Sequence, residues 1–169
     1  METDHIAIRR LLPSDAPAYR EVRLDALRGE PDAFGSTFEA ESVKTVNSFA
    51  DLLGKSNMFG AFDGAELVGI GGLIISDRLK EAHKGRLVGM YVRPSSRGIG
   101  VGGQLVQTII EFARHRVDLI QLAVVSENKV ALKLYARFGF VEYGLEKRAL
   151  KQGSRYYDEV HMARDLEPI

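Results

Sequence analysis

The sequence has no cysteine among its 169 residues, which excludes disulfides, thiolate metal sites and a thiol nucleophile. It has no excess of either charge, because 23 Lys and Arg residues balance 23 Asp and Glu residues. A nucleic acid or an anionic membrane would therefore meet no overall positive field, and we expect neither partner. It also lacks an apolar run of about 20 residues and a signal peptide. We therefore expect an unprocessed, cytoplasmic protein.

The length of the chain suits one domain with a sizeable core and is short for two. The 17 glycines and 5 prolines are spread between periodic segments and do not collect in a linker. We therefore expect residues 1–169 to form a single domain. The histidines are far apart and show no metal-binding spacing, so we predict no metal site. They are His5, His83, His115 and His161.

Hydrophobic periodicity predicts an α/β protein with a mixed sheet and helices on the faces of the sheet. The predicted strands are 6–10, 58–62, 67–75, 87–92, 119–125, 140–150 and 155–164. Helices are predicted from Ser14 to Gly29, around 45–54, after the glycine-rich stretch 97–103 and over 127–137. A loop or a helical turn is expected over 32–42. The segment from 87 to 125 then forms a βαβ unit.

Two predicted helices carry apolar residues at helical spacing. In the helix after the glycines, apolar residues recur at i, i+1, i+4, i+5 and i+8 and predict one buried face. They are Leu105, Val106, Ile109, Ile110 and Ala113. The last helix places Val130, Ala131, Leu134 and Tyr135 on one side. Gly139 is expected to end that helix in a left-handed conformation.

The glycine-rich stretch lies where a predicted strand meets a predicted helix. Glycines there free the backbone to present its N–H groups to an anion, and a helix N-terminus adds about half a positive charge. A pyrophosphate could be held in this way without net basic charge on the protein. Arg97 could add a direct charge contact. The simpler interpretation is that the glycines only form a tight turn and allow close packing of helix and strand.

Two other phosphate motifs compete for this function. The stretch Gly98-x-Gly100-x-x-Gly103 matches the dinucleotide fingerprint, and Glu127 lies where an acidic ribose ligand would be needed. However, too few residues remain for the other strands of a nucleotide-binding half and a substrate domain. Residues 54–56 read G-K-S, like the end of a P-loop, but Phe49 stands at the required leading glycine.

Two motifs in the chain resemble those of the GCN5-related N-acetyltransferase (GNAT) superfamily. The stretch 97–102 reads R-x-x-G-x-G and follows Met90-Tyr91-Val92-Arg93-Pro94, like the acyl-CoA-binding motif of that family. The segment 128–140 reads N-x-x-A-x-x-L-Y-x-x-x-G-F and resembles the next family segment, in the expected order and distance. The resemblance covers about residues 86 to 142. It implies a central, mostly antiparallel sheet with one parallel, splayed βαβ pair and helices on both faces.

The resemblance implies that an acetyl group passes from acetyl-CoA to a primary amine by direct attack in a ternary complex. The acceptor would be a small-molecule or peptide amine, and homodimers are common among similar proteins. The pantetheine arm would lie between the splayed strands and the pyrophosphate on the glycine turn. The cofactor contacts implied are Met90, Tyr91, Val92, Arg97, Gly98, Ile99, Gly100, Val101, Gly102, Gly103 and Asn128.

Tyr135 is the catalytic residue that the resemblance implies, with its hydroxyl directed at the thioester sulfur. From the residues alone, the alternatives are that Tyr135 is a core aromatic and that Asn128 only caps the last helix.

The general base is where the chain departs from the family, because Arg86 stands where many relatives have Glu. Substitutes considered are Glu81, His83 and His161. By family analogy, the acceptor site is walled by segments that contain Glu39, Glu41, Tyr156, Tyr157, Asp158 and Glu159. The absence of the usual Glu also suggests a second hypothesis, a module that binds acyl-CoA without efficient transfer.

Overall fold

In the computed structural model, which describes residues 5–167, seven strands form one mixed sheet. The strands are β1 (Ile6–Arg10), β2 (Asn57–Asp63), β3 (Glu66–Ile75), β4 (Lys84–Val92), β5 (Leu119–Val125), β6 (Val141–Gln152) and β7 (Arg155–Asp165). Their order across the sheet is β1-β2-β3-β4-β5-β7-β6. All neighbours are antiparallel except β4 and β5. This confirms the predicted fold class.

Five α-helices connect the strands in the described part of the chain. They are α1 (Ala16–Gly29), α2 (Phe38–Ser42), α3 (Val46–Lys55), α4 (Val101–Ala113) and α5 (Lys129–Arg137). The short helix α2 lies in the segment where the sequence predicted a loop or a helical turn. The Thr37 hydroxyl caps α2 by accepting a hydrogen bond from Ala40 N at 3.1 Å. Strand β4 begins at Lys84, earlier than the predicted position 87, because its first residues pair with β5.

Two hydrophobic cores lie on opposite faces of the sheet. One core packs α4 against alternate residues of the strands, and the predicted stripe of α4 is fully buried, with Leu105, Ile109 and Ile110 all 0 % exposed. The other core packs α1 and α3 against the remaining residues of β2 and β3. Each fully buried Leu or Ile contributes about 1.5–3 kcal/mol. The two helical layers therefore hold the centre of the sheet rigid.

The parallel strands β4 and β5 form a fork. They pair only from Lys84–Arg86 to Leu119–Gln121, and beyond that point β4 continues along β3 while β5 continues along β7. A β-bulge then bends β4, because Gly89 and Met90 together face one residue of β3, and Gly89 has φ +65°. The fork and the bulge open a wedge in the middle of the sheet. The resemblance implied this splayed pair, and the structure contains it.

The sheet is unlike the parallel, doubly wound sheet on which a dinucleotide fingerprint operates. Only one of the pairings between described strands is parallel, and it covers three residue pairs. The match of 98–103 to the dinucleotide pattern therefore lies in a different architecture, which does not favour the dinucleotide alternative.

Candidate active site

The wedge between β4 and β5 is a cleft of about 830 Å³, a size typical of small-molecule and cofactor sites. Its walls are the end of β4 and the first turns of α5, and the glycine turn closes one end. The cleft brings together every predicted site residue except Ile99: Met90, Tyr91, Val92, Arg97, Gly98, Gly100, Val101, Gly102, Gly103, Asn128 and Tyr135. Ile99 is 48 % exposed and lines a second hollow on the other side of the turn.

Strand β4 presents its main chain to the cleft. Met90 packs its side chain toward α4, and a Cβ at Gly71 would overlap its sulfur, so Gly71 is needed for this packing. Tyr91 is buried in the core on the opposite face. Because β5 has turned away beyond Arg86, the edge of β4 that faces the cleft lacks a partner strand. An extended ligand could pair with this edge as an added strand would.

The glycine turn is a concentration of unpaired donors. Within residues 5–167, the six main-chain N–H groups of 98–103 have no hydrogen-bond partner. Gly98 has φ +79° and Gly100 has φ +88°, conformations that glycine adopts without strain. These donors stand at the positive end of the α4 dipole. Such an arrangement can hold an anion by main-chain N–H groups alone, so the turn is a candidate anion site.

The remaining two glycines allow α5 to approach α4 closely. A Cβ at Gly103 would lie 3.3 Å from the ring of Phe138, and one at Gly102 would lie 3.4 Å from Leu134. Both parts of the simpler sequence interpretation, the tight turn and the close packing, are therefore present, and anion binding stays a prediction. The first two glycines shape the turn, and the last two permit packing.

The Arg97 guanidinium is already hydrogen-bonded and ion-paired within the protein. Its Nε donates to the Val92 carbonyl at 2.8 Å and its guanidinium lies 2.6 Å from Glu30 Oε1. These contacts fasten the glycine turn to the end of β4 and to the C-terminal end of α1. Its charge, which the sequence assigned to a phosphate, is paired with a carboxylate in this structure.

Asn128 caps α5, since its Oδ1 accepts a hydrogen bond from Ala131 N at 3.2 Å. The capping role that the residues alone suggested is therefore present. Asn128 also lines the cleft, so its amide group remains available there.

Tyr135 lies in the wall of the cleft and is 6 % exposed. Its ring packs edge-on against Phe140 at 5.9 Å between centroids. Burial raises the pKa of Tyr135 well above its ordinary value. The hydroxyl therefore keeps its proton across the physiological range, which suits a hydrogen-bond donor.

The apolar residues predicted on one side of α5 all line the cleft: Val130, Ala131, Leu134 and Tyr135. Their burial differs, because Tyr135 is 6 % exposed whereas Val130 is 82 % exposed. Helix α5 touches α4 near Leu134 and Phe138, at its C-terminal end. The N-terminal end of α5 therefore stands over open space, which helical periodicity cannot distinguish from a core.

Charged side chains on β6 and β7 surround the other side of the fork. Glu159 pairs in register with Val125 at the end of β5 and with Glu146 of β6. It is half-buried, and no hydrogen bond or ion pair engages it within the part of the chain that the structure describes. Burial raises the pKa of Glu159, the Glu146 carboxylate raises it further, and His161 opposes this. Glu159 is thus a carboxylate prepared to accept a proton.

The neighbouring Asp158 has a structural role. It accepts a hydrogen bond from Arg148 N at 2.8 Å, and Lys147 lies 3.5 Å from its second oxygen. These donors lower the pKa of Asp158. They hold a bulge of β6 in which Arg148 adopts φ +53°, a conformation rare for residues other than glycine. Sequence periodicity carried no signal for this bulge.

Apart from Tyr157, the other residues predicted for the acceptor site or as the base lie outside the cleft or are already paired. Glu41 is buried against Arg23 with two contacts of 2.9 and 3.0 Å. Glu81 faces Ser76 and Arg78, outside the cleft. Arg86 is exposed at the last parallel pair of the fork.

Tyr157 lines the cleft, and Tyr156 is 46 % exposed and lies outside it. Glu39 and His83 are exposed, and His161 Nε2 lies 3.3 Å from Glu146 Oε2.

Across residues 5–167, no group of three or more His, Cys, Asp or Glu side chains is arranged to hold a metal ion. No helix in this span is long and apolar enough to cross a membrane.

Comparisons with known sequences match most of the chain. A model of the acetyltransferase (GNAT) family matches residues 20–140. An L-amino acid N-acetyltransferase of Escherichia coli is 26% identical over 164 residues, which cover 94% of this chain and 97% of the relative. An N-alpha-acetyltransferase of Mycobacterium tuberculosis is 28% identical over 151 residues, covering 87% and 85% of the two chains.

Solved structures share the whole fold. A GNAT-family acetyltransferase from Streptococcus pneumoniae superposes with a TM-score of 0.84 at 22% identity, covering 96% of this chain and 99% of that one. A protein of Salmonella typhimurium, solved with its cofactor acetyl-CoA, gives a TM-score of 0.85 at 16% identity, covering 97% and 95%. These structures confirm the fold that the two motifs implied.

Proposed function

Because the chain belongs to the acetyltransferase (GNAT) family and is an acyl-CoA-dependent N-acyltransferase, we propose that it transfers an acetyl group from acetyl-CoA to a primary amine. One observation carries the choice of donor. Six consecutive main-chain N–H groups without partners stand at the N-terminus of α4, where the fork ends. A pyrophosphate is the group that such a row of donors suits. The acetyl-CoA bound to the Salmonella protein supports the same choice.

The donor would lie along the cleft from the glycine turn to Tyr135. Its pyrophosphate would accept hydrogen bonds from 98–103. Its pantetheine arm would pair with the main chain at Met90 and Val92 on one side and meet the amide of Asn128 on the other. This places the thioester near Tyr135. The bulge at Gly89 would direct a main-chain N–H at the thioester oxygen, where negative charge develops.

The transfer is a direct attack without a covalent enzyme intermediate. The neutral amine attacks the thioester carbonyl, the tetrahedral intermediate collapses, and the CoA thiolate leaves as the amide forms. An alkyl amine with a pKa of about 10.4 is neutral in only about 1 of 2,500 molecules at pH 7. A group that removes its proton therefore accelerates the reaction.

We assign to Glu159 the role of the base that removes this proton from the amine. Its carboxylate has no cation or donor engaging it in the described chain, and it stands beside the end of β5, two residues from the cleft-lining Tyr157. Arg86 cannot take this role because a guanidinium stays protonated. A relative that keeps Glu at the position of Arg86 would use a different element of the sheet for the same step.

Tyr135 would donate a hydrogen bond to the departing sulfur. A thiol with a pKa of about 8.5 leaves readily, and the buried tyrosine holds its proton tightly. The hydrogen bond from the Tyr135 hydroxyl is therefore only a moderate aid to the reaction. The acceptor remains a primary amine of small-molecule or peptide class, in line with the substrates in the names of the two relatives.

Thermal unfolding with acetyl-CoA, CoA or NAD tests the donor. Saturation at about 100 times Kd stabilises a protein by about 2.7 kcal/mol, which raises Tm by about 5 to 10 °C at this size. We expect this rise with acetyl-CoA and with CoA and none with NAD. Release of free CoA, followed with amino acids, polyamines and short peptides, then identifies the acceptor. No rise in Tm with either CoA species contradicts the proposal.

A further inference from the structure

A buried ion pair lies behind the bulge of β4, on the face of the sheet that α1 covers. The Arg23 guanidinium of α1 donates from Nε and Nη2 to the two carboxylate oxygens of Glu41 in α2, at 2.9 and 3.0 Å. The two side chains are only 14 % and 10 % exposed. Apolar residues often replace such a pair without loss of stability, so stability alone does not account for two charges at this position.

Three elements of the fold meet at Arg23. Its third nitrogen, Nη1, faces the bulge, since a Cβ at Gly89 would lie 3.9 Å from Nη1 and 3.8 Å from the Met58 methyl group. Its guanidinium carbon lies 5.1 Å from the centroid of the Phe34 ring. Arg23 therefore connects α1 and the segment that follows it to the bulge of β4.

The segment 31–45, which follows α1, has few other attachments to the sheet. The structure describes the whole of this segment, and Glu41 is its only buried residue. Phe34 packs at the edge of the core that contains α1 and α3. A second arginine of α1 holds the far end, because Arg20 Nη2 donates to the Ser42 carbonyl at 2.9 Å. The position of the segment therefore depends on arginine side chains more than on buried apolar surface.

This segment also carries one wall of the cleft. Its residues Pro31, Asp32 and Ala33 line the cleft together with Tyr157 of β7. Direct attack requires the amine to lie about 3–3.5 Å from the thioester carbon, so a displaced wall slows the transfer even when acetyl-CoA binds normally. An inference about this wall rests on the proposed function.

We propose that Arg23, held by Glu41, is a positioning residue for the acceptor. It fixes the wall at 31–33 relative to the bulge of β4 and so sets the distance between the attacking amine and the thioester. An arginine suits this function because its planar fork bonds two carboxylate oxygens while its remaining nitrogen meets a third group. Glu41 was predicted for the acceptor site, and in this assignment it acts through Arg23 without contacting the amine.

The first test is Arg23→Lys, which keeps a cation beside Glu41 and removes the planar fork. CoA release is followed with the amine that the wild type acetylates fastest among amino acids, polyamines and short peptides. We expect KM for the amine to rise and kcat/KM to fall about 10 to 100 times, the range for a misplacement of about 1 Å. The Kd for acetyl-CoA, measured by calorimetry, should stay unchanged.

Arg9→Lys is the matched control. Arg9 also bonds a carboxylate with two nitrogens, each 2.8 Å from an oxygen of Asp15, and its guanidinium lies 4.2 Å from the centroid of the Phe62 ring. It does not line the main cleft. We expect wild-type kcat/KM in this variant. An equal loss in Arg9→Lys would mean that any such pair affects the transfer through the fold, and the assignment to Arg23 would be wrong.

The double variant Arg23→Met, Glu41→Met separates positioning from stability. It replaces both charges by apolar side chains, so Tm should stay near the wild-type value while kcat/KM falls as in Arg23→Lys. A fall of Tm in both variants would assign the pair to folding and overturn the inference.

The remaining outcomes separate this inference from the proposed function. Wild-type kcat/KM in Arg23→Lys or in the double variant would overturn the inference alone. An equal loss of acetyl-CoA affinity would place the pair on the donor side and contradict its role toward the acceptor. Failure of the wild type to acetylate any amine of the panel would overturn the proposed function and this inference together.

Discussion

The two sides of the fork between β4 and β5 are built from different parts of the chain. The side proposed for acetyl-CoA is called the donor side. There, a single stretch of six residues, 98–103, supplies the main-chain N–H groups, and the side chains of these residues contribute little. On the side proposed for the acceptor, the groups are side chains from the segment after α1 and from the hairpin of β6 and β7, two parts of the chain that are far apart in sequence. Asp32 and Tyr157 line the cleft there, and Glu159 and Glu146 lie beside it.

Because of this difference, the two sides tolerate amino-acid substitutions to different extents. A site made of main chain depends on backbone angles and is indifferent to most side chains, so the same glycines can serve proteins with different substrates. A site made of side chains changes with each substitution and can be adapted to a new acceptor. The departure at Arg86 is a side chain at the last parallel pair of the fork, whereas the family motif at 97–102 is in the glycine turn.

The largest effect should come from Gly100→Glu, which breaks the donor side. A non-glycine residue at φ +88° costs about 1–2 kcal/mol, and a carboxylate there repels the pyrophosphate. We expect acetyl-CoA affinity to fall by about 100-fold or more, measured by calorimetry. The matched control is Gly64→Glu in the turn between β2 and β3, where φ is +59° and a new Cβ meets nothing within 4 Å. Retained affinity in Gly100→Glu would refute the phosphate site.

The next effect should come from Glu159→Gln, which breaks the acceptor side. A base must be deprotonated, and the pKa of Glu159 is raised, so wild-type kcat/KM should fall as the pH drops through a value above that of ordinary glutamate. The variant should lose this limb and about 100-fold in kcat/KM near pH 7. His161 and Glu146 face Glu159 from β7 and β6, whereas β5 presents Ala123 and Val125, which do not titrate.

The control for this prediction is Glu142→Gln. Glu142 pairs with Met162, whose side chain lies in the core of α4, so its carboxylate lies on the opposite face of the same two strands. We expect its pH profile to match the wild type. An unchanged acid limb in Glu159→Gln would remove Glu159 from the reaction and leave the donor side unaffected.

The smallest effect should come from Tyr135→Phe, which tests the hydroxyl located where the donor side and the acceptor side meet. The ring remains packed on Phe140 and only the hydroxyl is lost. We expect kcat to fall about tenfold, because the thiolate leaves readily without help, and the Kd for acetyl-CoA to stay constant. Tyr19→Phe is a matched control, since Tyr19 is also buried and packs edge-on against Phe49 at 5.9 Å. A parallel fall in Tyr19→Phe would mean that packing, and not the hydroxyl, sets the rate.

The residues that the sequence assigned to cofactor binding lie almost all together in the structure. Residues 97–103 and 128–140 carry two motifs in one order, and ten of the eleven predicted cofactor residues line a single cleft, as does Tyr135. The exception, Ile99, lies on the other side of the turn. Their proximity has a local cause, because positive φ angles, helix starts and unpaired N–H groups depend on a few consecutive residues.

For the acceptor side, the sequence predicted a set of candidate residues but not which of them would act. The sequence included Glu159 among six acidic and tyrosine residues but gave no reason to prefer it. The preference depends on β7 lying between β5 and β6, on the bulge at Arg148, and on partners that occupy Glu41 and Asp158. The pairing of Arg97 with Glu30 joins residues 67 positions apart and was likewise outside the reach of a pattern.

By itself, the sequence determined the helices, the glycine turn and the motifs, because hydrogen-bond periodicity and backbone angles are set within a few residues. Only the tertiary structure decided the strand order, the length of the parallel pairing and the exposure of Val130. It also decided which charges are free and which are paired. Those features depend on contacts between distant segments, where burial and competing partners set the energy of each side chain.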